Sequence, residues 1–122
     1  MTRRFEVLFI DGVRRPAADG ATFTTVDPST RLPIADVGLA GEADVHAAVD
    51  AAAKAFAAGS PWRRMSARDR ARLMRNLVSL IERDADDLAL LETQDAGKPV
   101  AFSKSVDIAA ASDTVEYYAG WA

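Results

Sequence analysis

The hydrophobic period changes at Gly41, and this change limits the fold more than any other feature of the sequence. Before Gly41 the apolar residues fall in short runs divided by turn formers; after it they recur at helical spacing. Residues 5–40 therefore read as a strand region. Phe5 to Ile10 is rich in strand formers, and Asp11-Gly12 is a strong turn signal ahead of Val13-Arg14-Arg15. Asp19-Gly20 marks a second turn before the β-branched run Thr22 to Val26. Asp27-Pro28-Ser29-Thr30 turns the chain again, and a short strand is expected from Pro33 to Gly38, starting at a residue whose missing N–H is tolerable there. Strands this short and close predict an antiparallel β-meander with a narrow apolar side that needs a partner surface.

Beyond Gly41, Val45, Val49, Ala52 and Phe56 form one apolar helix face, with Glu42 and Asp44 placed to complement the helix dipole. Gly59 ends this helix and Pro61 prevents its resumption. Ser66-Ala-Arg-Asp69 is a capping-box pattern with Asp in place of Glu. The helix it opens carries an expected buried stripe of Leu73, Leu77, Leu80 and Ile81, continuing through Leu88 and Leu91. Asp84 interrupts the stripe, which predicts a kink or break near Arg83-Asp84. Gly97 and Pro99 stop the run, and a last helical pattern extends from about Ser105 through Val106, Ile108, Val115 and Tyr118 to Trp121. The expected class is α/β: a β-meander over 1–40, then three or four amphipathic helices over 41–122. Several apolar faces result, with no parallel sheet to receive them.

The 122 residues include no cysteine, which excludes disulfides, thiolate metal sites and cysteine catalysis together. The single histidine, His46, lies off the apolar face and reads as a surface residue. Fifteen basic against 18 acidic side chains give a net charge of −3, so no general attraction to nucleic acid or anionic lipid is expected. No stretch approaches the roughly 18 apolar residues of a membrane helix, and the start lacks a secretory pattern, so a cytoplasmic location is the expectation. Arg63, Arg64, Arg68, Arg70, Arg72 and Arg75 form a basic cluster with no interleaved aromatic beyond Trp62; it reads as a solvated, ion-paired face. Gly97-Lys98-Pro99 lacks the glycines of a phosphate loop, and no serine sits in a nucleophile elbow.

Asp95 stands out among the carboxylates, four residues after Leu91 and seven after Leu88. A charged carboxylate on an apolar face costs several kcal/mol unless it finds a cation or donors. Its partner is either a local hydrogen bond or salt bridge, or a bound cation completed by backbone carbonyls.

Several ordered stretches resemble the amino-terminal portion of the NAD(P)-dependent aldehyde dehydrogenase superfamily. They are Phe9-Ile-Asp-Gly12, Thr25-Val-Asp-Pro-Ser-Thr30, Gly59-Ser-Pro-Trp-Arg-Arg-Met65, Leu80-Ile-Glu-Arg-Asp84, Leu91-Glu-Thr-Gln-Asp-Ala-Gly-Lys-Pro99 and Tyr117-Tyr-Ala-Gly-Trp-Ala122. The resemblance implies an incomplete part of that family's coenzyme-binding domain. It also implies a parent enzyme that oxidises an aldehyde to a carboxylic acid with NAD or NADP, commonly as a homo-oligomer. In that family a cysteine thiolate attacks the aldehyde, hydride passes to the nicotinamide, and a glutamate-activated water hydrolyses the thioester. The nucleophile, the oxyanion-hole donor, the general base and the cofactor contacts have no counterpart here, so this chain alone is expected to be inactive. What carries over is a monovalent cation site, with backbone carbonyls at Thr25 and Val26 and the carboxylate of Asp95. Val106 and Ala110 match positions lining the substrate tunnel, and their i,i+4 spacing puts them on one face. The competing reading is a stand-alone, non-enzymatic helical interaction domain that binds through its arginine-rich helix or its terminal aromatics.

Overall fold

The computed structural model describes residues 4–122, with side chains described from Glu6 onward. The chain divides into two compact units, Met1–Arg64 and Met65–Ala122. In the first, β1 (Arg4–Glu6), β2 (Leu8–Ile10), β3 (Val13–Arg15), β4 (Thr22–Val26) and β5 (Pro33–Gly38) precede α1 (Glu42–Phe56) and the single turn α2 (Pro61–Arg64). The α/β class holds: short strands come first and helices follow.

β2 and β3 form an antiparallel hairpin with Ile10 opposite Val13. Its two-residue loop places Asp11 at φ 54° and Gly12 at φ 76°. Two successive positive φ values match the twist of the flanking strands, and an Asp-Gly pair reaches them at low steric cost. β4 and β5 are likewise antiparallel, as expected, and β1 adds a parallel pairing on the other edge of β5. The run from Phe5 to Ile10 thus divides at Val7 and serves two sheets.

The β4–β5 connection is held by Asp27, whose Oδ1 accepts from the N–H groups of Ser29 at 2.7 Å and Thr30 at 3.2 Å. This Asx turn is reinforced by Arg31 N–H donating to the Asp27 carbonyl at 2.7 Å.

Asp44 organises the first unit. Its side chain is 1 % exposed. Both carboxylate oxygens accept from Ala18 N–H at 3.1–3.2 Å, Oδ2 also accepts from Gly41 N–H at 3.1 Å, and Arg15 Nη2 lies 3.6 Å from Oδ1. A buried carboxylate is tolerable only with such donors, and these tie the loop after β3 to the start of α1. Asp44, Ala47 and Ala51 share a helix face, and the alanines are half-buried beside it. The face expected to be buried lies elsewhere on the helix: Val45 is 55 % exposed, and Val49, Ala52 and Phe56 are also exposed. The inward rotation of α1 follows the carboxylate and its donors, not the largest side chains. His46 is a surface residue 3.5 Å from Glu42.

The second unit holds α3 (Ala67–Arg83), α4 (Ala85–Ala96), α5 (Val100–Phe102), a π-helical turn (Ser103–Ile108) and α6 (Ala109–Ala119). Ser66 Oγ accepts from Asp69 N–H at 3.1 Å and donates to Asp69 Oδ2 at 2.7 Å. The shorter Asp takes the hydroxyl proton where a Glu would reach the backbone N–H. The break near Arg83-Asp84 is present, with Asp84 between α3 and α4 at φ −98°, ψ 13°. Gly97 ends α4 in the left-handed region at φ 74°. The last helix begins at Val100, not near Ser105, because Pro99 stops one helix and opens the next: its carbonyl accepts from Phe102 and Ser103 N–H.

α3 packs on α6, and α4 packs on the π-turn. The buried positions are small: Ala71 and Val78 on α3, Ala89 on α4, Ser103 in the π-turn, Ser112 and Ala119 on α6. Of the expected leucine stripe, Leu73, Leu77, Leu80 and Leu91 are exposed, while Ile81 and Leu88 are half-buried. Small residues bring helix backbones close, so shape sets the contact faces. The terminal aromatics remain outside, with Trp121 74 % exposed and Tyr117 edge-on to Tyr118 at 5.2 Å. Among the described residues, no helix is long and apolar enough to cross a membrane.

Replacing Asp44 with Ala leaves the Ala18 and Gly41 N–H groups without their acceptor, and should lower stability by about 2 kcal/mol or more. Asp44→Asn keeps one acceptor oxygen and should lose less. Urea unfolding of the three proteins tests this; an Ala variant as stable as the parent contradicts the assigned role.

Candidate functional site

Thr25 and Val26 close β4, where the ladder is irregular. Thr25 lies opposite Ala35 and Val26 opposite Pro33, so Ile34 has no opposite residue and the register shifts between the two. The extra residue is on β5, so the ladder is interrupted beside Thr25 and Val26. Thr25 is half-buried and Val26 exposed. The Asp27 turn follows immediately, and its two backbone N–H donors, Ser29 first and then Thr30, hold the Asp27 carboxyl below its ordinary value.

Asp95 sits in the last turn of α4, in the second unit, and is exposed. The cost of burying its charge, which made it conspicuous in the sequence, does not arise. Thr25 and Val26 belong to the first unit and Asp95 to the second. Val106 lies in the π-turn and Ala110 in the first turn of α6, both exposed and four residues apart.

One group of residues went unnoticed in the sequence. Lys98 Nζ donates to Asp107 Oδ2 at 2.6 Å and lies 2.7 Å from Glu92 Oε1, so its ammonium joins α4 to the π-turn, and the exposed Lys104–Asp86 pair links the same two elements. Beside it, Thr93 Oγ1 donates to Ser103 Oγ at 3.1 Å, and Ser103 is fully buried. Asp107 and then Glu92 hold the Lys98 ammonium above its ordinary pKa. A raised Lys pKa contributes stability in full below the unfolded value of 10.5, and loses it only as the pH climbs through the folded value. The bridge is therefore constant across the neutral range. Sequence spacing offered no sign of it, since six and nine residues separate Lys98 from its partners across a helix end.

The basic cluster on α3 carries ion pairs, Arg72 with Asp69 and Arg75 with Glu116, each at 3.2 Å. The sequence holds no cysteine, and His46 lies on the surface beside Glu42. The described residues do show a bulge in the β4–β5 ladder, followed by the Asp27 turn, and a π-turn that Lys98 reaches through Asp107.

The Asp27 carboxylate contributes stability above its unfolded value of 3.8, which is lost as the pH falls through the lower folded value. The Ser29 amide proton shift should accordingly titrate with a midpoint below 3.8. A midpoint at or above the unfolded value would mean that the Asx turn is not populated in solution.

The model of the aldehyde dehydrogenase family matches residues 15–122. Horse (Equus caballus) mitochondrial aldehyde dehydrogenase is 48% identical over 118 residues, covering 97% of this chain and 24% of its own length. Human (Homo sapiens) retinaldehyde dehydrogenase 3 is 43% identical over 119 residues, 98% of this chain and 23% of that protein. Among solved structures, an NAD+ complex of aldehyde dehydrogenase from Bacillus cereus superposes with a TM-score of 0.90 at 43% identity, covering 95% of this chain and 24% of that one. This chain thus spans about a quarter of the length of the relatives it matches. The bulged strand, the Gly-Lys-Pro junction and the helices around it fall within these alignments, and the chain belongs to the aldehyde dehydrogenase family, corresponding to its amino-terminal portion.

Proposed function

We propose that this segment is the scaffold-forming first quarter of an NAD(P)-dependent aldehyde dehydrogenase that oxidises an aldehyde to a carboxylic acid, and that by itself it performs no turnover. The observation that carries the proposal is 48% identity to an aldehyde dehydrogenase across 97% of the chain, in a sequence without any cysteine. The family reaction depends on a thiolate nucleophile, so the chemistry falls to other parts of the parent enzyme. On this reading residues 1–40 supply the strand region and 41–122 the helical region of the coenzyme-binding fold. The parent enzyme works in the cytoplasm as a homo-oligomer.

Within that enzyme, Thr25 and Val26 offer backbone carbonyls and Asp95 a carboxylate to a monovalent cation. The register shift between Thr25 and Val26, with the extra residue Ile34 on β5, puts an interruption of the ladder beside these two carbonyls. Asp95 stands exposed in the last turn of α4. Val106 and Ala110 form part of the wall past which the aldehyde enters, and both present small side chains to solvent. NAD or NADP is bound by other segments; no residue of this chain is assigned to it.

The reading frame beyond the codon for Ala122 tests the proposal. It should continue into a glycine-rich strand–helix unit and a later cysteine, and the longer product should oxidise aldehydes with NAD or NADP. A stop codon directly after Ala122, with a folded monomeric product, would instead support the interaction-domain reading.

A further inference from the structure

The helix that begins at Val100 is not regular. Ser103–Ile108 form a π-turn, in which N–H groups reach back five residues and the turn takes in one extra residue. One inserted residue rotates all that follows by roughly 100°, since an α-helix has 3.6 residues per turn. That rotation lets one helix serve two neighbours. Ser103 is buried with its hydroxyl on Thr93 of α4, while Ser112 and Ala119 are buried on α6, which packs against α3. It also sets where Val106, inside the turn, points.

π-turns are rare, and a contact from a neighbouring element is one way to hold one in place. An isolated surface pair is too weak to do so, but Lys98 is placed differently. It stands between Gly97, at φ 74°, and Pro99, whose ring fixes φ near −61°, so its tether is short and stiff. Its half-buried ammonium meets two carboxylates at once, Glu92 on α4 and Asp107 in the turn.

We propose that Lys98 is a positioning residue: by bridging Glu92 to Asp107 it holds the π-turn and fixes the direction in which Val106 presents its methyl groups. Its consequence for aldehyde selection rests on the reading of Val106 and Ala110 as tunnel residues. Lys98 touches no substrate and acts through Asp107. Because its ammonium is held above its ordinary pKa, the bridge persists across the neutral range.

Amide hydrogen exchange and methyl NMR on the 122-residue chain test the inference. In Lys98→Met, amides of Ser103–Ile108 should exchange at least about tenfold faster, a change of about 1.4 kcal/mol in the opening equilibrium. The Val106 methyl shifts should move, amides around Ala71 and Val78 on α3 should be unaffected, and Lys98→Arg should restore the original pattern. Unchanged exchange and unchanged Val106 shifts in Lys98→Met overturn the proposal. If that variant loses protection throughout α3 as well, Glu92→Gln and Asp107→Asn decide the matter, since each removes one arm and leaves Lys98 in place. Each must give part of the same local change, and no change in either overturns the proposal.

In the longer enzyme carrying this segment, Lys98→Met should shift the ratio of kcat/KM for bulky against small aldehydes by roughly tenfold, the scale of a misplaced methyl group. An unaltered ratio alongside altered Val106 shifts supports the positioning role and contradicts the tunnel reading.

Discussion

The carboxylate of Asp44 is the contact from which the arrangement of the first unit follows. Buried with donors from Ala18, Gly41 and Arg15, it fixes both the loop leaving the hairpin and the rotation of α1. Losing those donors would strand a charge away from water. The helix therefore cannot roll to bury Val45, Val49 and Phe56 without breaking the contacts at its own N-terminus. Electrostatics at one end decides which side chains along fifteen residues are left exposed.

A different rule governs the second unit. Its helices meet through Ala71, Val78, Ala89, Ser103, Ser112 and Ala119, and the two contact faces of the last helix are brought into register by the π-turn. Close approach through small side chains leaves the larger ones outward: Leu73, Leu77 and Leu80 on α3, Tyr117, Tyr118 and Trp121 at the end. Exposed apolar side chains in that number are typical of surfaces that other protein segments cover. A chain spanning about a quarter of its relatives would have such surfaces.

Local chemistry was legible in the sequence where it acts over a few residues. The Asp11-Gly12 hairpin, the strand from Pro33 to Gly38, the Ser66 cap, the break at Asp84 and the stop at Gly97 all depend on neighbours in sequence, and all are present. The misplaced features depend on distance. The leucine stripe on α3 has a correct helical period, but hydropathy cannot tell which side of a helix meets small residues elsewhere. Asp44 looked like a dipole-compensating residue because its donor at Ala18 is 26 positions away. Lys98 looked like part of a failed phosphate motif because Glu92 and Asp107 flank it across a helix end. The last helix starts at Val100, ahead of the point its apolar period marks, because a π-turn disturbs the 3.6-residue period near Ser105. Thr25, Val26, Asp95, Val106 and Ala110 came from family resemblance; among them, the backbone irregularities at Thr25–Val26 and around Val106 are what the structure contributes.

The central claim is that this segment supplies scaffold to an aldehyde-oxidising enzyme and no chemistry of its own. It is tested most directly by following NADH formation from NAD by the purified 122-residue chain, verified by intact mass, with a panel of aliphatic and aromatic aldehydes. No turnover above the buffer rate is the predicted result. Turnover that follows this chain through successive purification steps would show that the reaction proceeds without a cysteine nucleophile, and would contradict the account.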